Sequence, residues 1–147
     1  MEELHNSMKI LIANTFVMYM KAHGYHWNVI GPDFPQLHEF FGDLYAELHS
    51  AIDDTAEQLR TIRSFVPGTL SRILELSTIT EEDMISKPEN MAQRLVAANE
   101  EVMSNLRDAY NKAEEASELG LSNFLQDRLT IHAKHGWMLR SVAGVAP

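Results

Sequence analysis

Cysteine is absent from the 147 residues. That excludes disulfides, thiolate nucleophiles, iron–sulfur clusters and cysteine-held zinc. Any metal must be held by His, Asp, Glu or backbone oxygen. Cations are scarce as well. The five lysines (Lys9, Lys21, Lys87, Lys112, Lys134) are scattered, and the formal net charge is −9. Phosphate backbones are bound by clustered cations, so DNA binding is not expected. The same charge favours attraction of metal cations. No apolar run reaches the ~18 residues of a membrane span. The opening "MEELHNSMKI" is acidic before it is apolar, unlike an export signal, and a cytoplasmic location is the expectation. Also missing is the apolar/polar alternation of β-strands between hairpin turns.

What is present is helical periodicity, in a chain long enough for one domain over residues 1–147. The first stretch runs from about Glu3 to Asn28, with Leu4, Met8, Leu11, Ile12 and Phe16 at three- and four-residue steps. "GPDFP" breaks it. The second runs from about Pro35 to Ser64. "TLSRILELS", Thr69–Ser77, suits one or two helical turns, and Thr80–Asp83 reads as a cap with acids behind it. The third runs from about Pro88 to Leu119, with Gly120 expected just past its end. The fourth runs from about Ser122 to Val142. Four long helices with a short helix in the central link predict an all-α four-helix bundle.

The second helix carries the chemistry. From His38, the residues Gly42, Tyr45, His49, Asp53 and Glu57 follow at steps of three or four and drift along one face. Asp53 and Glu57 sit one turn apart, a carboxylate pair suited to a hard cation. His38 and Asp53 are about 22 Å apart along one axis, so they cannot share an ion within one chain. Two such helices packed antiparallel about a two-fold axis would bring position 38 of one to position 57 of the other, with His26 approaching the same place. The plain alternative is a solvated helix face. His23 and His26, or His132 and His135, are each spaced for one face and also read as surface or satisfied core histidines. Glu2-x-x-His5 fits a di-iron pattern but falls at an end expected to fray. Trp27 and Trp137 read as packing residues.

The stretch "YHWNVIGPDFPQLHEFFGDLYAELHSAIDDTAEQLRTI", Tyr25–Ile62, resembles the signature of the Dps proteins, the mini-ferritins of starved bacterial cells. The tail "DRLTIHAKHGWMLRS", Asp127–Ser141, is similar to the last helix of that family. The resemblance implies a ferritin-like bundle assembled as a hollow dodecamer. It implies a ferroxidase that oxidises Fe(II), with hydrogen peroxide or oxygen, and stores ferric iron, protecting the cell. It further implies metal sites shared across two-fold interfaces, with His26 and His38 from one chain and Asp53 and Glu57 from the other. Trp27 matches a family tryptophan near the iron, placed to accept escaping oxidising equivalents.

One departure stands out. The family places aspartate four residues after the second histidine, where this sequence has Gly42. Asp43 is rotated ~100° from that position, and His49 lies one turn before Asp53. Both are reserve ligands. Two readings follow: a working site with water in the gap, or a cage whose altered site binds metal or serves structurally without turnover. Gly42→Ala is expected to raise stability by up to ~1 kcal/mol, and Gly42→Asp to restore a ligand. Glu114, Glu115 and Glu118 read as pore residues or as a solvated helix end. Multiplying −9 over an assembly adds to the case against DNA.

Overall fold

The computed structural model describes residues 1–82 and 85–145. Five helices follow in order: α1 Glu2–Asn28, α2 Phe34–Thr61, α3 Leu70–Leu76, α4 Pro88–Glu115 and α5 Leu119–Ala143. There is no strand among the described residues. α1 packs against α2 and α4, α4 against α5, and the short α3 against α1. This is the expected four-helix bundle with a small helix in its central link. No helix among the described residues is long and apolar enough to cross a membrane.

The core is aliphatic and methionine-rich. Leu4, Met8, Leu11, Ile12 and Met18 of α1 are closed off against Phe41 and Leu48 of α2, Met91, Leu95 and Leu106 of α4, and Leu125 and Leu139 of α5. Each such side chain contributes roughly 1.5–3 kcal/mol on burial. α1 begins with Glu2 and Glu3, acids that complement the positive end of the helix dipole. Its start does not stand free, because His5 Nε2 meets the Ile62 carbonyl oxygen at 3.0 Å.

The helix ends differ from the sequence reading for one physical reason. α2 stops at Thr61 and α4 at Glu115, each closed by a non-glycine residue at positive φ: Arg63 at 70° and Ser117 at 59°. Around Ser117, its N–H donates to Glu114 O (3.0 Å) and the Glu118 N–H donates to Ala113 O (2.9 Å). Around Arg63, the corresponding bonds reach Arg60 O (3.0 Å) and, from Ser64, Leu59 O (3.3 Å). These are Schellman closures, usually signalled by glycine. Gly120, expected to end α4, lies inside α5 instead, while Gly144 (φ 70°) closes α5. Thr80–Glu82 are not helical; Asp83 lies outside the described residues.

Two polar clusters are buried with their partners. Asn14 of α1 is fully enclosed. Its amide nitrogen donates to Thr78 Oγ1 (2.9 Å) and Asn105 Oδ1 (2.6 Å). Its oxygen accepts from Ser77 Oγ (2.8 Å) and Thr78 N–H (2.9 Å). That ties the central link to α1 and α4. The second cluster joins α2, α4 and α5. Arg128 makes a forked pair with Glu47 (2.6 and 2.9 Å) and donates to His132 Nε2 (2.9 Å). The His132 Nδ1–H in turn donates to Asn99 Oδ1 (2.8 Å), and Asn99 donates back to His132 O (3.0 Å). His135 Nε2 completes it on Glu47 (2.7 Å). Burial, with the Arg128 charge and His135, lowers the His132 pKa to about 3, so it is neutral at pH 7. Burial pushes Glu47 up, but hydrogen bonds and charge from His135 and Arg128 outweigh it and bring it to about 2. His132 is thus a satisfied core histidine, and His135 a partner of Glu47.

Candidate metal centre

The α1–α2 turn builds the centre. α1 ends at Asn28, Gly31 takes φ 130°, a conformation open to glycine, and α2 starts at Phe34 with Pro35 in its first turn. The Phe34 N–H closes the turn on Gly31 O (3.1 Å). The two helices run back to back, and residues equidistant from the turn come together. His26 and His38 are such a pair.

Their rings stack at 3.8 Å between centroids with 17° between planes. The His26 Nδ1–H donates to His38 O (2.6 Å), and the His38 Nδ1–H donates to His26 O (2.7 Å). A carbonyl only accepts, so each Nδ1 carries the proton and each neutral ring keeps its Nε2 lone pair free. This is how metal-ligating histidines are commonly oriented, with the far nitrogen pinned to a backbone oxygen. Phe34 covers the other face of His38 at 5.0 Å.

Gly42 lies directly beneath His26. A Cβ at position 42 would stand 3.0 Å from His26 Nδ1 and 3.2 Å from its Cε1. Position 42 therefore faces the centre as the helix count requires. The space beside it is filled by the His26 imidazole, which corrects the expectation of a gap that alanine could enter freely.

Asp53 and Glu57 lie three and four turns further along α2 and are exposed. Nothing within the chain brings them to His26 or His38. Among the described residues no cluster of three or more His, Asp or Glu side chains is placed to hold a metal. Asp43 is turned away and lines a groove between α2 and α5 with Phe40, Glu47, Ile131 and His135. His49 packs near Tyr19, at 5.2 Å, rather than against the histidine pair. Glu114 and Glu115 are exposed at the end of α4, and Glu118 caps α5.

An aromatic column adjoins the centre, and the helix-face count did not single it out. His23 stacks on Tyr45 (3.8 Å, 9°) and on Trp27 (4.0 Å, 36°), and its Nδ1 is 2.9 Å from the Tyr19 hydroxyl. Tyr45 meets His26 edge-on at 5.1 Å. Burial, then the charges of His26 and His49, lower the His23 pKa. The available signal was Tyr19, His23, His26 and Trp27 recurring at helical steps on α1. Trp27 and Trp137 are 57% and 60% exposed, so neither is the core residue expected. Each sits on a face that its own chain leaves open.

The comparisons agree with this geometry. Residues 6–146 match the Ferritin family, described as a ferritin-like domain. General stress protein 20U of Bacillus subtilis is 34% identical over 146 residues, spanning 97% of this chain and 99% of that protein. The DNA protection during starvation protein of Brevibacillus brevis is 34% identical over 130 residues, 88% of this chain and 87% of its own. A crystal structure of a Dps protein from Vibrio cholerae O1, described as belonging to a broad superfamily of ferritin-like diiron-carboxylate proteins, superposes with a TM-score of 0.91 at 31% identity. That superposition covers 95% of this chain and 88% of the other. The chain belongs to the ferritin-like family, in its Dps branch.

Proposed function

We propose that the chain is one Dps-like mini-ferritin domain, a ferroxidase that oxidises Fe(II) at sites shared between subunits and stores the ferric product inside a homo-oligomeric cage. Family membership supports iron storage in a homo-oligomer in general terms. The dodecamer, the ferroxidase step, the shared sites, the protective role and the cytoplasmic setting are this reading's own. The carrying observation is the histidine pair, with both Nδ1–H groups committed to backbone oxygens and both Nε2 atoms left for a metal.

In this reading His26 and His38 present imidazole nitrogen to Fe(II). Asp53 and Glu57 of a second copy bring carboxylates, which favour the ferric product through its higher charge. Iron accepts this mixed nitrogen and oxygen set. Hydrogen peroxide takes one electron from each of two Fe(II) ions. Two ferric oxyhydroxide units form with two waters, and four protons are released. The fixed Nδ1–H tautomers keep the imidazoles from rotating away as charge builds. The −9 charge of each chain draws the cation in.

A second reading rests on Gly42. With His26 packed onto it, this half of the site offers two imidazoles and no carboxylate of its own. That arrangement also suits a cage that binds a borderline cation such as zinc without turnover.

Anaerobic Fe(II) titration of the native assembly, followed by peroxide addition, separates the two. Rapid oxidation at the bound iron, lost in His38→Ala and in Asp53→Ala while the assembly persists, supports the ferroxidase. Tight zinc binding with no Fe(II) oxidation supports the second reading.

A further inference from the structure

We propose that Trp27, His23 and Tyr19 form a proton-coupled electron relay that disarms hydroxyl radical produced beside His26. It rests on the iron chemistry above for its source of oxidant. The relay itself is built from this chain alone and needs no metal to be tested.

The geometry sets the direction of transfer. Trp27 is 57% exposed, so a diffusing one-electron oxidant reaches it first. Its ring lies 4.0 Å from His23, which in turn lies 3.8 Å from Tyr45 in near-parallel stacking. Tyr45 reaches the proposed ligand His26 at 5.1 Å, joining the column to the centre. Electrons pass readily between aromatic rings in contact. The end point is decided by the proton. A phenol titrates near pH 10 when reduced and becomes a very strong acid on losing an electron, so its oxidation requires a base within reach. Tyr19 has one, because its O–H donates to His23 Nδ1 at 2.9 Å, within the range for direct proton transfer. The Tyr45 hydroxyl has no hydrogen-bond acceptor among the described residues, so it conducts but does not trap.

The steps balance. Hydroxyl radical, formed when one Fe(II) reduces hydrogen peroxide, takes an electron from Trp27 and becomes hydroxide. The Trp27 cation radical takes an electron from Tyr19 across the His23 ring. The Tyr19 proton moves to His23 Nδ1 in the same event. Trp27 is restored, Tyr19 is a neutral phenoxyl radical, and His23 is imidazolium. A second Fe(II) then supplies an electron, His23 returns the proton, and the relay resets. Two Fe(II) are oxidised per peroxide, as in the direct reaction, and no radical leaves the protein.

The test is flash photolysis of the assembled, iron-free protein with a ruthenium polypyridyl photo-oxidant and a sacrificial acceptor. Transient absorption and electron paramagnetic resonance follow the radicals. The tryptophan radical is expected to decay as a tyrosyl radical grows in. Tyr19→Phe keeps the ring but removes the O–H; it should prolong the tryptophan radical by about tenfold or more and remove most tyrosyl signal. His23→Gln should slow the transfer by a similar factor while leaving Tyr19 in place. Tyr45→Phe should preserve the tyrosyl yield. Unchanged radical decay and tyrosyl yield in Tyr19→Phe would overturn the relay, as would a tyrosyl signal that disappears with Tyr45→Phe. If the ferroxidase reading fails, the Fe(II) titration shows it separately and these radical kinetics are untouched.

Discussion

Gly42 and His26 are in direct contact across the α1–α2 pair, at a distance where one additional methyl group would press on the imidazole. A Cβ at position 42 falls 3.0 Å from His26 Nδ1, the atom whose N–H holds the His38 carbonyl. The glycine in the middle of a helix is therefore accommodation for a neighbouring ring.

Gly42→Ala sets two effects against each other. Replacing a helix-interior glycine gains about 1 kcal/mol. Displacing His26 weakens a partly buried hydrogen bond worth about 0.5–1.5 kcal/mol. The net change in denaturant midpoint should be close to zero, without the full propensity gain, while Fe(II) affinity falls because the Nε2 lone pair is re-aimed. A clear rise in stability with unchanged Fe(II) affinity would show that the ring moves aside freely. Gly42→Asp should shift His26 further than alanine does, so a carboxylate there costs the histidine pair its geometry before it adds a ligand.

The buried polar cluster makes stability pH-dependent. His132, with an ordinary value of 6.5, is held at about 3, and Glu47, ordinarily 4.5, at about 2. Both folded values are depressed. Their stabilisation is complete above the unfolded values and is lost as pH falls, from 6.5 towards 3 for His132 and from 4.5 towards 2 for Glu47. Denaturant midpoints measured between pH 7.5 and pH 4 should fall with acidity, and His132→Gln should flatten that slope while lowering stability at pH 7. A flat profile in the wild type would contradict the neutral buried histidine.

Most of the architecture was legible because core spacing repeats over 25 to 28 residues in each long helix. Helix ends were less so. Arg63 and Ser117 adopt the left-handed conformation without the glycine that advertises it, so α2 and α4 stop before the composition changes. For the centre, His26 and His38 could be paired from their places around the Gly31 turn. Which nitrogen each ring leaves free could not, since that depends on carbonyls oriented by the turn. Asp43 was set aside by helix rotation, and it does face the α5 groove. The contact between Gly42 and His26 depends on how closely two helices approach, which no single-helix pattern encodes.

Asn14→Ala should lower stability by about 1–3 kcal/mol, because Thr78, Ser77 and Asn105 lose a buried partner. The loss should be local first. Hydrogen exchange should accelerate in α3 and residues 77–79 ahead of α4. Uniform acceleration across all helices would show that Asn14 does not anchor the link separately.

DNA should not be retained at neutral pH and physiological salt, given −9 per chain and scattered lysines. A gel-shift experiment with linear duplex checks this. Complexes that form tightly and dissolve with added salt would contradict it.

The shared site is the central claim, and subunit mixing tests it most directly. His38→Ala and Asp53→Ala chains, each inactive alone, are unfolded together and reassembled. In a mixed two-fold pair, one interface site collects both substitutions and the other collects neither. Random mixing should therefore restore about a quarter of the wild-type Fe(II) oxidation. Recovery near that level is the predicted result. Mixed assemblies as inactive as their parents would mean that His38 and Asp53 do not serve one site across an interface.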